Sequence, residues 1–84
     1  METPIWLKKE NIKKTLDARP ILASGEHPLA RVLSETKDLL PGEIYEVITP
    51  FPPVPMIEKL KNEGFESYSE TDASGMFRNY FMRS

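Results

Sequence analysis

The sequence predicts an α+β fold: a two-layer sandwich, βαβαββ in order, with two helices on one face of a four-stranded mixed sheet. Three observations predict it. Apolar residues recur at helical spacing over 29–40, and three later segments carry the β-branched and aromatic residues of strands. Clusters of Pro and Gly separate these stretches. The 84 residues amount to one domain, read as a lead-in over 1–10 and a folded body over 11–84. A domain of this size buries about 60% of its unfolded surface, enough for one core without staples.

In the lead-in, Thr3-Pro4 has the form of a helix cap and first helical position, so Ile5-Trp6-Leu7 is expected to make one short helical turn. Trp6, the only tryptophan, is expected to anchor this segment on the domain edge. Asn11–Ala18 reads as the first strand, with Ile12, Leu16 and Ala18 on one side and Arg19-Pro20 as its end. Ala23–Pro28 is a turn feeding a helix. Leu29, Val32, Leu33, Thr36, Leu39 and Leu40 then form its apolar stripe, with Arg31, Glu35, Lys37 and Asp38 on the wet side. Pro41-Gly42 stops it.

Ile44–Thr49 is a second strand by composition. Pro50–Pro55 follows as a stiff connector, with four prolines in six residues. The second helix starts near Pro55, turns Met56, Ile57 and Leu60 inward, and ends at Asn62-Glu63-Gly64. Phe65–Glu70 is the third strand, Thr71–Gly75 a hairpin turn and Met76–Arg83 the last strand. There is no repeat and no low-complexity segment.

Composition excludes whole classes of chemistry. With no cysteine, disulfides, thiolate metal sites, iron–sulfur ligation and thiol catalysis are absent. A net charge of -2 argues against sequence-independent nucleic-acid binding, and Lys8-Lys9 and Lys13-Lys14 read as solvated faces. No apolar run approaches the roughly 20 residues that span a bilayer. Met1-Glu2-Thr3-Pro4 lacks the apolar stretch of a secretory signal, so the expected location is cytoplasmic.

Several local features taken in order resemble the TusA/SirA-like superfamily over about residues 15–83. They are Leu16-Asp17-Ala18-Arg19, a proline-bearing turn into the first helix, Leu40-Pro41-Gly42-Glu43, the stop at Gly64-Phe65, and Arg78 and Tyr80 in the last strand. Gly25-Glu26-His27-Pro28-Leu29 and Pro50-Phe51-Pro52-Pro53-Val54-Pro55 look most like a branch of unknown function. Members of that branch occur alone or beside hemerythrin-type and related metal-binding domains. The resemblance implies the two-layer fold also found in initiation-factor-three C-terminal domains. It does not carry over the sulfur-carrier chemistry, which needs a Cys-Pro-x-Pro pattern at the first helix. Aligned on Pro28, the cysteine position is Gly25 and the first proline is Glu26. Glycine supplies no nucleophile.

The candidate binding residues are Gly25, Glu26, His27, Pro28, Phe51 and Arg19. Pro28 suits a first helical position, which makes His27 a candidate N-cap with free backbone N–H groups around it. In the plain alternative His27 caps the turn and Glu26 complements the helix dipole. A metal reading uses His27 and Glu26, completed by Asp17, Glu10, or Glu70 and Asp72, but one histidine is a poor start for zinc. Ser24 near His27 is no triad, and Asp17, Glu26, Glu43 and Glu46 read as surface charges. Arg19 reads as the local ion-pair partner of Asp17.

Phe51 is either a projecting contact or a lid on the core. Tyr45, Tyr68, Tyr80, Phe77 and Phe81 leave aromatics to divide between two sheet faces, and three on the open face would mark an interface. The expected function is a non-enzymatic binding module that holds no cofactor. Its expected partner is another protein, a second copy or a metal-binding redox protein, with no role for membrane or nucleic acid. The alternatives are a redox-linked metal or small-ligand module, a docking component of a sulfur relay, and an RNA-binding module.

Overall fold

A computed structural model describes residues 3–84. Its strands are β1 (Ile12–Asp17), β2 (Ile44–Thr49), β3 (Phe65–Thr71) and β4 (Phe77–Arg83). Its helices are α1 (Arg19–Ala23), α2 (Leu29–Thr36) and α3 (Val54–Asn62), and Lys9–Asn11 makes a turn of 3₁₀ helix before β1. The sheet order is β1-β2-β4-β3, with β1 parallel to β2 and β4 antiparallel to both β2 and β3. The expected α+β class and four-stranded mixed sheet are present.

The cross-strand register sorts the strand residues into two faces. Leu16 pairs with Val47, Tyr45 with Phe81, Val47 with Asn79 and Thr49 with Phe77, so these share a face. Leu16, Ala18, Tyr45, Val47 and Phe81 form the core with Val32 of α2 and with Met56 and Leu60 of α3. Ile21 and Leu22 of α1 pack against the same cluster. All three helices therefore lie on one side.

Four expectations need correction. First, Arg19-Pro20 does not merely end a strand but opens α1, a helix of five residues. That is too short to show helical periodicity in sequence. Second, the helix beginning at Leu29 ends at Thr36, not Leu40. Leu39 still reaches the core from the following turn, while Leu40 is 64% exposed.

Third, Ile12 does not share a face with Leu16. An irregularity between Ile12 and Lys14 inserts an extra residue, so Ile12 pairs with Ile44 on the face away from the helices. Such a bulge flips the alternation upstream of it. Fourth, Ile5-Trp6 forms a turn closed by a Leu7 N–H···O=C Pro4 bond of 3.1 Å rather than a helix. Trp6 and Leu7 are half-buried, and Thr3, Leu7 and Lys9 line a cleft with strand residues of the open face. The lead-in crosses that face, which the helices leave bare. No helix among the described residues is long and apolar enough to cross a membrane.

Candidate binding site

The turn between α1 and α2 is fixed by its backbone. Gly25 adopts a φ of +84°, where other L-residues are strained. It closes α1 with two hydrogen bonds, Gly25 N–H to the Leu22 carbonyl at 3.0 Å and Glu26 N–H to the Ile21 carbonyl at 3.1 Å. That pair of bonds is the glycine-terminated Schellman arrangement. Gly25 is thus a helix stop. Pro28, rather than His27, is the N-cap of α2, its carbonyl accepting from Val32 N–H at 2.9 Å. No side chain caps this helix. His27 stands one residue outside it, exposed, while Pro28 is buried.

The proline connector is anchored from the sheet. Asn79, fully buried on β4, donates through Nδ2 to the Val47 carbonyl at 2.9 Å and to Thr49 Oγ1 at 3.1 Å. Its Oδ1 accepts from Ser69 at 2.8 Å. Thr49 in turn donates its hydroxyl to the Phe51 carbonyl at 2.6 Å. A chain of side-chain bonds runs from β3 through β4 and β2 to the backbone of Phe51. Every buried polar side-chain atom described has a partner, so the chain carries no unsatisfied group.

These two anchored turns meet. His27, Pro28 and Leu29 line an apolar notch of about 220 Å³ together with Phe51, Pro53 and Pro55, with Leu22, Thr49 and Met56 behind them. Phe51 is 48% exposed, neither a free projection nor a closed lid. Of the candidate residues, His27, Pro28 and Phe51 share this notch. Gly25 and Glu26 lie in the adjoining exposed turn and do not line it.

Arg19 is elsewhere, held by Asp17 through Nε at 2.9 Å and Nη2 at 2.6 Å, and Asp17 also accepts from the Arg19 backbone N–H at 3.0 Å. The Arg19 hydrogen bonds depress the Asp17 carboxyl to about 2. Leu22, Thr49, Met56 and Asn79 were not candidates from sequence. An apolar side chain or a strand polar residue gives no local signal of lining a site formed by distant turns.

The set that the alternative metal reading drew on around His27 and Glu26 does not assemble. Among the described residues no group of three or more His, Asp or Glu side chains converges, and Asp17, Glu70 and Asp72 are engaged elsewhere.

The open face carries a second constellation. Tyr68 and Tyr80 stack with ring centroids 6.4 Å apart and planes inclined by 21°. Tyr45, Phe77 and Phe81 face the helices, so two strand aromatics rather than three lie here. Glu46 is not the expected surface charge. It is 8% exposed, bonded to Arg78 Nη1 at 3.1 Å and to the Thr15 hydroxyl at 3.0 Å. Arg78 also holds Asp72 through Nε at 3.2 Å. Burial, and then the charges of Glu46 and Glu70, raise the Tyr80 phenol well above its usual range.

No family profile and no solved structure matches the chain. A stretch of 45 residues is 42% identical to part of the phenylalanine–tRNA ligase alpha subunit of Staphylococcus saprophyticus, covering 54% of this chain and 13% of that protein. The chain therefore spans only a small fraction of the relative it matches.

Proposed function

We propose that the chain is a non-enzymatic binding module of the cytoplasm, built on a TusA/SirA-like scaffold whose nucleophile position is a glycine. Its contact site is the notch shared by His27, Pro28 and Phe51. The convergence of these two anchored turns on one apolar cavity carries the reading. A cavity of about 220 Å³ falls below the range of roughly 300–1,000 Å³ that holds drug-sized ligands and cofactors. It suits one or two apolar side chains of a protein partner. The proline-rich wall is already ordered, which lowers the entropy lost on binding. Phe51 and Val54, both about half exposed, extend the contact outside the notch.

A persulfide donor of a sulfur relay is one partner that such a module could dock without carrying sulfur itself. The test replaces Phe51 with a photo-crosslinking phenylalanine analogue in the host and repeats it at exposed Glu58 on α3. Discrete protein adducts at position 51, absent at 58 and reduced by His27→Ala, support the reading. Identical adduct patterns at the two positions overturn it.

An RNA-binding module is the second reading, favoured by the partial identity to a tRNA ligase subunit and by the Tyr68–Tyr80 stack. Glu46, Glu66 and Glu70 share the face of that stack and oppose a phosphate backbone. A salt-dependent mobility shift with single-stranded RNA, abolished by Tyr68→Ala, would establish it in place of the protein-binding reading.

A further inference from the structure

On the face away from the helices, the lead-in and the sheet flank a half-open cleft of about 760 Å³ lined by Thr3 and Leu7 on one side and by Thr15, Glu46, Arg78 and Tyr80 on the other. We propose that residues 3–8 are a strap that lifts from this face while the domain stays folded, baring the rest of the ionic cleft floor to solutes.

The bonding of the strap supports this. Its backbone hydrogen bonds close locally, Leu7 N–H on the Pro4 carbonyl at 3.1 Å and Asn11 N–H on the Lys8 carbonyl at 2.9 Å. Among the described residues, no hydrogen bond or ion pair ties 3–8 to the sheet beneath. What holds the strap is the partial burial of Pro4, Trp6 and Leu7, while Ile5, 93% exposed, adds nothing. A segment with few buried contacts and no bonds to the body opens at a small fraction of the global unfolding free energy.

The cleft floor, in contrast, is fixed. Glu46 is held by Thr15 and Arg78, and Arg78 by Asp72. Tyr80, 7% exposed, is stacked on Tyr68. Strap release uncovers a preformed array of charges and a phenol rather than a loose core. This inference is independent of the notch, which is lined by the two proline-bearing turns.

The test uses the full chain and two reporters the sequence supplies. Trp6 is the only tryptophan, so acrylamide quenching of its fluorescence reads the strap alone. Nitration by tetranitromethane, mapped by mass spectrometry, reads Tyr80 in the cleft against Tyr45, which is fully buried beneath α2. Leu7→Ser is expected to raise Trp6 quenching and Tyr80 nitration severalfold, with Tyr45 unmodified and the urea midpoint little changed. Tyr80 becoming reactive only in step with Tyr45, or unchanged reactivity in the variant, overturns the proposal. Should Leu7→Ser fail to fold, nitration of the unmodified protein across a urea series decides. Tyr80 modified below the unfolding midpoint while Tyr45 stays unmodified supports the strap, and modification of both only through global unfolding overturns it.

Discussion

His27 and Phe51 line one apolar notch although they belong to different connectors, one joining α1 to α2 and the other β2 to α3. Each is presented by a backbone that other residues fix: Gly25 and Pro28 hold the first turn, Asn79 and Thr49 the second. The two contact side chains are themselves exposed, so they are separable from the fold. His27→Ala and Phe51→Ala are each expected to change stability by no more than about 1 kcal/mol, the range of partly exposed substitutions. Urea denaturation of the two variants beside the parent checks this.

Gly25 is expected to behave differently, because its backbone and not its surroundings makes the demand. A Cβ added there meets nothing within 4 Å, yet φ is +84°. Gly25→Ala should therefore cost about 1–2 kcal/mol from backbone strain alone. Gly25→Asn, which tolerates this region better, should cost less. Thermal melts of the three proteins give the order.

Asn79 should be among the most sensitive polar positions. Asn79→Ala removes three hydrogen bonds from a fully buried site, those with the Val47 carbonyl, Thr49 Oγ1 and the Ser69 hydroxyl. A loss of about 2–4 kcal/mol is expected from three hydrogen bonds lost at a buried site. Thr49→Val should cost less but loosen Phe51, read as faster exchange of the Phe51 and Val54 amides.

Tyr45 links stability to alkaline pH. Its hydroxyl donates to Glu35 of α2, and burial first, then that bond, raises the phenol far above its usual value. A group whose folded pKa is raised stabilises fully below its unfolded pKa, about 10 for tyrosine, and the contribution is lost as pH climbs beyond it. The parent should therefore lose stability above about pH 10 more steeply than Tyr45→Phe. Near neutrality the variant should be weaker by about 1–2 kcal/mol, since Glu35 loses a donor. Urea midpoints at pH 7 and above pH 10 check both statements.

How much of this was legible in the sequence depends on how local the determinant is. Ile44–Thr49 was legible in full because β-branched and aromatic residues crowd six positions between Pro-Gly and Pro signals. The last two strands were legible to within a residue. The stop at Gly64 and the stiffness of 50–55 follow from single residue types.

What escaped was set by register and by distance. Ile12 lies on the face opposite Leu16 because of one bulge, which no residue in Asn11–Ala18 announces. Glu46 is buried because Arg78 and Thr15 come to it from neighbouring strands. Of the candidate site, the two turns were legible as motifs. Their meeting was not, since it depends on how α1 and α3 pack on the sheet. The Arg19–Asp17 pair, two residues apart in the chain, was legible in the sequence, and it holds Arg19 away from the notch.

The central claim, that the notch is a protein-binding site, is tested most directly by native mass spectrometry of the protein purified gently from its own host, beside Phe51→Ala prepared in the same way. The account predicts a stoichiometric complex with a protein partner for the parent and its loss in the variant, with both chains folded. The same complex in both samples, or a bound metal or small molecule in place of a protein, would contradict it.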